Sequence, residues 1–220
     1  MIRFEDVSKV YHGKKFTKRV FNNLNFSVER GESIGIVGAN GAGKSTLMRL
    51  LAGVEPPTSG TITRTMSMSW PIGYSSALQS GLTGADNARF IARIYNQPED
   101  ELLEKVEAFA QLGPYLHQPF GTYSSGMSGR LAFALSLTIE FDCYLIDEVM
   151  SAGDERFRKK AEAAMIERRE RASLVMISHD LGTLQRYCSR GAVLYGGALT
   201  FFDSVSEACE VHYSLQALAS

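Results

Sequence analysis

The run Gly38-Ala39-Asn40-Gly41-Ala42-Gly43-Lys44-Ser45-Thr46 combines the residue types that grip a polyphosphate. Its glycines let the backbone turn tightly and aim N–H groups at an anion, Lys44 can reach the terminal phosphates, and the Ser45 hydroxyl can reach Mg²⁺. A second group of reactive side chains lies far along the chain. Asp147 closes the apolar run Tyr144-Leu145-Ile146, Glu148 follows it, and His179 stands just beyond Leu174-Val175-Met176-Ile177-Ser178. A carboxylate at the C-terminal edge of a strand can hold Mg²⁺ directly or through water, and its neighbour can orient or deprotonate an attacking water. A histidine at the same edge can donate a hydrogen bond to a terminal phosphate. Alone, Asp-Glu after an apolar run is an ordinary acidic strand end, and a lone histidine there is ordinarily structural. Beside a phosphate loop they point to hydrolysis of ATP or GTP.

Such a loop requires a buried strand before it and a helix after it. Ile34-Gly35-Ile36-Val37 reads as the strand and Leu47-Met48-Arg49-Leu50-Leu51-Ala52 as the helix, whose N-terminus favours negative charge. Strand candidates at Ile2 to Val7 and Asn25 to Val28 flank the basic segment from His12 to Arg19 and suggest a hairpin or a twisted edge sheet. Pro56-Pro57-Thr58-Ser59-Gly60 is a turn cluster leading to short strands around Thr61-Ile62 and Ile72-Gly73-Tyr74. From Thr83 to about Glu140 helical spacing takes over, at Asn87 to Tyr95, Glu101 to Val106 and Leu131 to Leu137. Strands then return at Cys143 to Ile146, Leu174 to Ile177 and Ala192 to Tyr195, with a helix from about Glu155 to Arg171 between the first two. This βαβ alternation predicts an α/β fold with a mainly parallel sheet and a helical insertion.

With 220 residues, 45% of them hydrophobic and 21% charged, the chain can bury one substantial core. A net charge of −1 gives no electrostatic reason to expect nucleic acid as a partner. Cys143, Cys188 and Cys209 are odd in number and widely spaced, which suggests reduced core thiols rather than disulfides or a metal site. His12, His117 and His212 also lack metal-cluster spacing. The opening Met1-Ile2-Arg3-Phe4-Glu5-Asp6 carries acids where a secretory signal would be basic and then apolar, so the chain is expected to stay in the cytosol. No stretch approaches the roughly 20 continuous apolar residues of a membrane span. Any membrane role is therefore expected through a partner, without direct insertion.

Together these motifs resemble the ATP-binding subunits of ABC transporters over nearly the whole chain. The resemblance implies the ABC ATPase fold of the P-loop NTPases, with a mainly parallel core sheet, an N-terminal antiparallel β subdomain and an inserted α-helical subdomain. Residues 1–220 would form a single ATP-binding domain with the insertion at about 83–140. It further implies that Asp147 is the metal-associated acid, Glu148 the catalytic carboxylate and His179 the histidine that senses γ-phosphate. Gln79 would contact metal or water and couple to the transport channel. Tyr11 would stack on adenine, although it also fits as an ordinary strand aromatic. The family's Leu-Ser-Gly-Gly-Gln signature corresponds to Tyr123-Ser124-Ser125-Gly126-Met127, where Ser124 and Gly126 survive and Leu, the first Gly and Gln are replaced. Those residues would meet the nucleotide of a second copy in an ATP-sandwich homodimer. Ser151-Ala152-Gly153-Asp154 departs from the family's Ser-Ala-Leu-Asp at one position and would lie at the dimer interface.

Tyr123 to Met127, Phe141 to Val149, and Trp70-Pro71-Ile72-Gly73 with Leu82-Thr83-Gly84 resemble most closely the branch that exports capsular polysaccharide from Gram-negative bacteria. That resemblance implies a peripheral subunit at the cytoplasmic face of the inner membrane. Its partners would be a transmembrane permease, docked near Gly81 to Arg93, and the polysaccharide export machinery. Export of another surface glycan of the O-antigen or teichoic acid type, a soluble ABC switch protein, and a regulatory module without hydrolysis are the alternatives. Arg156, Arg158, Lys159, Lys160, Arg168, Arg169 and Arg171 are interleaved with acids and read as a solvated helix face.

Overall fold

The computed structural model describes residues 1–14, 16–73, 75, 78–147 and 153–219. The chain divides into two compact units, one of Met1–Ser69, Phe141–Glu148 and Arg168–Ser220, the other of Trp70–Glu140 and Val149–Glu167.

The first unit opens with a long antiparallel pair, β1 (Ile2–His12) and β2 (Thr17–Val28), to which β4 (Ser59–Arg64) adds on the other side of β1. The expected hairpin is therefore present, with strands running further than their apolar patterns indicate. Its main sheet has the order β5-β6-β7-β3-β8-β9, from β3 (Ser33–Val37), β5 (Met68–Pro71), β6 (Cys143–Asp147), β7 (Ser173–Ile177), β8 (Arg190–Tyr195) and β9 (Ala198–Phe202). β6, β7, β3 and β8 are mutually parallel, as the βαβ alternation predicts. Every residue of β3 and β7 is buried, which is why these strands read as unbroken apolar runs.

Two expectations change in detail. The strand placed at Ile72-Gly73-Tyr74 is β5 instead, ending at Pro71, whose ring removes the ladder donor; Ile72 and Gly73 form a turn and Tyr74 lies outside the described residues. β9 had no sequence assignment. It pairs antiparallel with β8 across Gly196-Gly197, both at positive φ (57° and 80°), the geometry of a two-residue hairpin turn.

Helices α1 (Lys44–Ala52), α6 (Leu181–Tyr187) and α7 (Val205–Ala219) complete this unit. Its core joins both sheets and α1 through side chains such as Phe4, Phe21, Leu47, Leu50, Leu145, Val175 and Leu194. The start of β6 is pinned by Asp142, whose carboxylate accepts from Arg30 (2.5 Å) and from the Ser67 N–H (2.8 Å). Those bonds hold its carboxyl below the usual range.

In the second unit α2 (Gly84–Ile94), α3 (Glu99–Ala110) and α4 (Ser125–Thr138) pack together, with 3₁₀ turns at Gly113–His117 and Phe120–Thr122. Thr83 caps α2 by accepting from the Asp86 N–H (3.0 Å), and Ser124 caps α4 by accepting from the Met127 N–H (3.3 Å). Helix α5 (Glu155–Arg171) runs as expected from the sequence. Its Phe157 meets Phe109 and Phe133 edge-on at 5.7 and 5.9 Å between ring centroids.

Candidate functional site

The phosphate loop leaves the end of β3 and enters α1, the arrangement its chemistry requires. Two glycines are dictated by space. A Cβ on Gly38 would stand 2.7 Å from the Leu194 carbonyl oxygen, and one on Gly43, at φ 110°, would meet a Val20 methyl at 2.5 Å. Gly43 caps α1 without a side-chain acceptor, and no acid occupies the first turn. The first-turn N–H groups and the positive end of the helix thus remain for an anion. The Lys44 ammonium donates to the carbonyls of Gly38 (2.7 Å) and Ala39 (3.2 Å), which folds it over its own loop.

A cavity of about 470 Å³ gathers Asn40, Gly41, Gly43, Lys44, Ser45 and Thr46 with Asp147 from the end of β6, His179 from just past β7, and Tyr11 from β1. Residues separated by more than a hundred positions thus meet at the C-terminal edge of one parallel sheet, where ligands of open α/β sheets bind. Glu148, Ser151 and Ala152 lie outside the described residues.

The Tyr11 hydroxyl donates to Glu55 (2.7 Å) and accepts from Arg49 (3.1 Å), and Arg49 also donates to the Thr46 hydroxyl (3.2 Å). Lys9, only 7% exposed, pairs with Glu55 at 2.8 Å and stands 5.1 Å from the centre of the Tyr11 ring. These contacts tie Tyr11 to Glu55 and Arg49 at the edge of the cavity that it lines. Partial burial pushes the Glu55 carboxyl up, but hydrogen bonds from Lys9, Tyr11 and Arg49 outweigh it and hold the group at about 2. A carboxyl depressed on folding stabilises the fold above its unfolded value of 4.5, and that stability is lost as pH falls towards 2. The gap in urea midpoint between the parent and Glu55→Gln is therefore expected to be constant above about pH 5 and to shrink below it. A gap independent of pH would contradict the network.

Sequence reasoning missed Lys18, whose side chain lines the same cavity. Lys18 stands directly opposite Tyr11 in the β1–β2 ladder, a position from which it adds a second ammonium beside Lys44. His212, 6% exposed on α7, is pushed down by burial and then by His179 and Lys44, which disfavours a further positive charge beside them.

Gln79, Ser124, Ser125 and Gly126 belong to the second unit. There Ser124, Ser125 and Gly126 line a cavity of about 770 Å³ with Arg130 and Asp154. Gln79 is gripped through its backbone by Asn87: its N–H donates to Asn87 Oδ1 (2.8 Å) and its carbonyl accepts from Asn87 Nδ2 (3.1 Å). No helix among the described residues is long and apolar enough to cross a membrane.

A family model described as ABC transporter matches residues 21–151. The chain is 49% identical to the ATP-binding protein BexA of Haemophilus influenzae, over 98% of its own length and 100% of that protein. It is 50% identical to the capsule polysaccharide export ATP-binding protein CtrD of Neisseria meningitidis serogroup B, again over 98% and 100%. A polysialic acid transport ATP-binding protein, KpsT of Escherichia coli, is 38% identical over 99% of each chain. Among solved structures, an ATP-binding subunit of an ABC transporter superposes with a TM-score of 0.82 at 22% identity, covering 97% of this chain and 99% of its own. The fold is thus that of the ABC ATPases.

Proposed function

We propose that this chain, which belongs to the ABC transporter family, is the ATP-hydrolysing subunit that powers export of capsular polysaccharide across the bacterial inner membrane through a separate permease. The observation that carries the chemistry is the single cavity that collects the phosphate loop, Ser45, Asp147 and His179 at one sheet edge. Full-length similarity to a capsule polysaccharide export ATP-binding protein supports the cargo.

The triphosphate lies along the loop, where backbone N–H groups and Lys44 share its negative charge and Tyr11 faces the base. A hydroxyl and a carboxylate on one cavity, Ser45 and Asp147, suit a hard cation that completes its shell with phosphate oxygens and water. They would hold Mg²⁺, which would neutralise charge on the phosphates. Glu148 takes a proton from water as the water oxygen bonds to the γ-phosphorus and the bond to the ADP oxygen breaks. His179 donates to a γ-phosphate oxygen, and Gln79 orients the same water or the metal.

Ser124 and Gly126 of a second copy close the nucleotide from the other side, so two ATP molecules are sandwiched in a homodimer. The α4 N-terminus that carries them favours an anion through its dipole. Helix α2 exposes Phe90 (48%) and Ile94 (59%), apolar surface suited to a permease segment. The subunit sits peripherally on the cytoplasmic face, and the polysaccharide need not touch it. Membrane fractionation tests that arrangement: the protein is expected in the membrane pellet of cells that contain the permease and in the supernatant of cells that lack it. Equal distribution in both would contradict it.

A further inference from the structure

Asn87 is 1% exposed, and its side chain is used entirely on backbone. Its Oδ1 accepts from the Gln79 N–H (2.8 Å), while Nδ2 donates to the carbonyls of Gln79 (3.1 Å) and Thr83 (3.0 Å). An N–H can only be met by the amide oxygen and a carbonyl only by the amide nitrogen, so these partners fix the orientation of the amide. The clamp reaches from the fourth residue of α2 to the residue that precedes the loop Ser80-Gly81-Leu82. That loop is held on its other flank as well. Gly121 N–H donates to the Ser80 carbonyl (2.9 Å), Phe120 N–H donates to the Leu82 carbonyl (2.8 Å), and Thr83 bridges Pro119. Segment 119–121 leads into Tyr123 and Ser124 within a few residues.

We propose that Asn87 is the positioning residue through which helix α2 sets the place of Gln79. The proposal rests on the reading of Gln79 as a group that orients water or metal, and it adds the part that moves it. Helix α2 cannot shift without carrying the Gln79 backbone, because two of the three Asn87 bonds end on that one residue. The same helix exposes Phe90 and Ile94. A partner seated on those side chains therefore acts on Gln79 through Asn87, and through the bonded flank at Phe120 and Gly121 on the start of the Ser124 turn.

A double-mutant cycle on Mg-ATP turnover tests this, using the full chain with Gln79→Ala, Asn87→Ala and the pair. Asn87→Ala is expected to lower kcat about tenfold with KM for ATP within about twofold, and the double variant to be no slower than the slower single variant. Losses that multiply would overturn the proposal, since a merely structural asparagine acts independently of Gln79. If Asn87→Ala does not fold, Asn87→Ser replaces it, and amide hydrogen exchange becomes the readout. The Gln79 amide is expected to exchange about tenfold faster in that variant while the Leu50 and Leu51 amides of α1 are unchanged. Unchanged exchange at Gln79 would overturn it. An unchanged kcat in Gln79→Ala would remove the role given to Gln79, while the exchange measurement would still decide whether Asn87 holds it.

Discussion

Lys44→Ala is expected to lower steady-state phosphate release by about 10²–10³-fold, the loss typical of removing one preorganised donor to developing negative charge. The substitution deletes the only loop side chain that brings a full positive charge to the phosphates, and neither the loop backbone nor the helix dipole can supply an equivalent. Lys44 is held by carbonyls of Gly38 and Ala39 and does not support the core, so the fold should survive. Thermal unfolding is expected within a few degrees of the parent, while binding of a fluorescent ATP analogue weakens by more than tenfold. Release of phosphate that persists in Lys44→Ala would mean that the hydrolysis belongs to something other than this cavity. It would also leave the alternative of a module that binds nucleotide without turning it over.

Glu148→Gln separates binding from chemistry. The amide keeps the shape of the carboxyl but cannot take the proton of the attacking water, so turnover is expected to fall by at least about 10²-fold, within the range of a lost general base. Affinity for ATP should stay within about threefold, because Glu148 is given no part in holding the phosphates. With ATP bound and not consumed, the closed pair of subunits should accumulate, visible as a shift from monomer to dimer in size-exclusion chromatography with light scattering. Rapid turnover in Glu148→Gln would transfer the role of base to another group, and a variant that stays monomeric with ATP would count against the sandwich.

The phosphate loop and the parallel strands were legible because their signals are local. Glycines at fixed spacing and continuous apolar runs need no knowledge of tertiary neighbours, and Asp147 and His179 inherit their place from the strand ends they follow. Lys18 was not legible because its position depends on register. β1 carries irregularities between Phe4 and Val7, Val7 and Lys9, and Lys9 and Val10, so a strict two-residue alternation does not predict that Lys18 faces Tyr11. Glu55 joins β1 to α1 through Lys9, Tyr11 and Arg49, partners on two other elements that its place beside a turn cluster does not disclose. Asn87 reads as one polar position in a helix. Its partners are backbone groups of a preceding loop, and backbone groups leave no mark in a sequence. β9 is the opposite case, since Gly196-Gly197 between two apolar runs is a hairpin signal that needed only to be read.

ATP hydrolysis by this chain is proposed to drive polysaccharide to the cell surface. Its most direct test is surface polysaccharide in cells that lack the subunit and are supplied with either the parent protein or Glu148→Gln at equal abundance. The deletion is expected to strip polysaccharide from the surface, the parent to restore it, and Glu148→Gln to leave the surface bare. Normal surface polysaccharide in the deletion, or full restoration by Glu148→Gln, would contradict it.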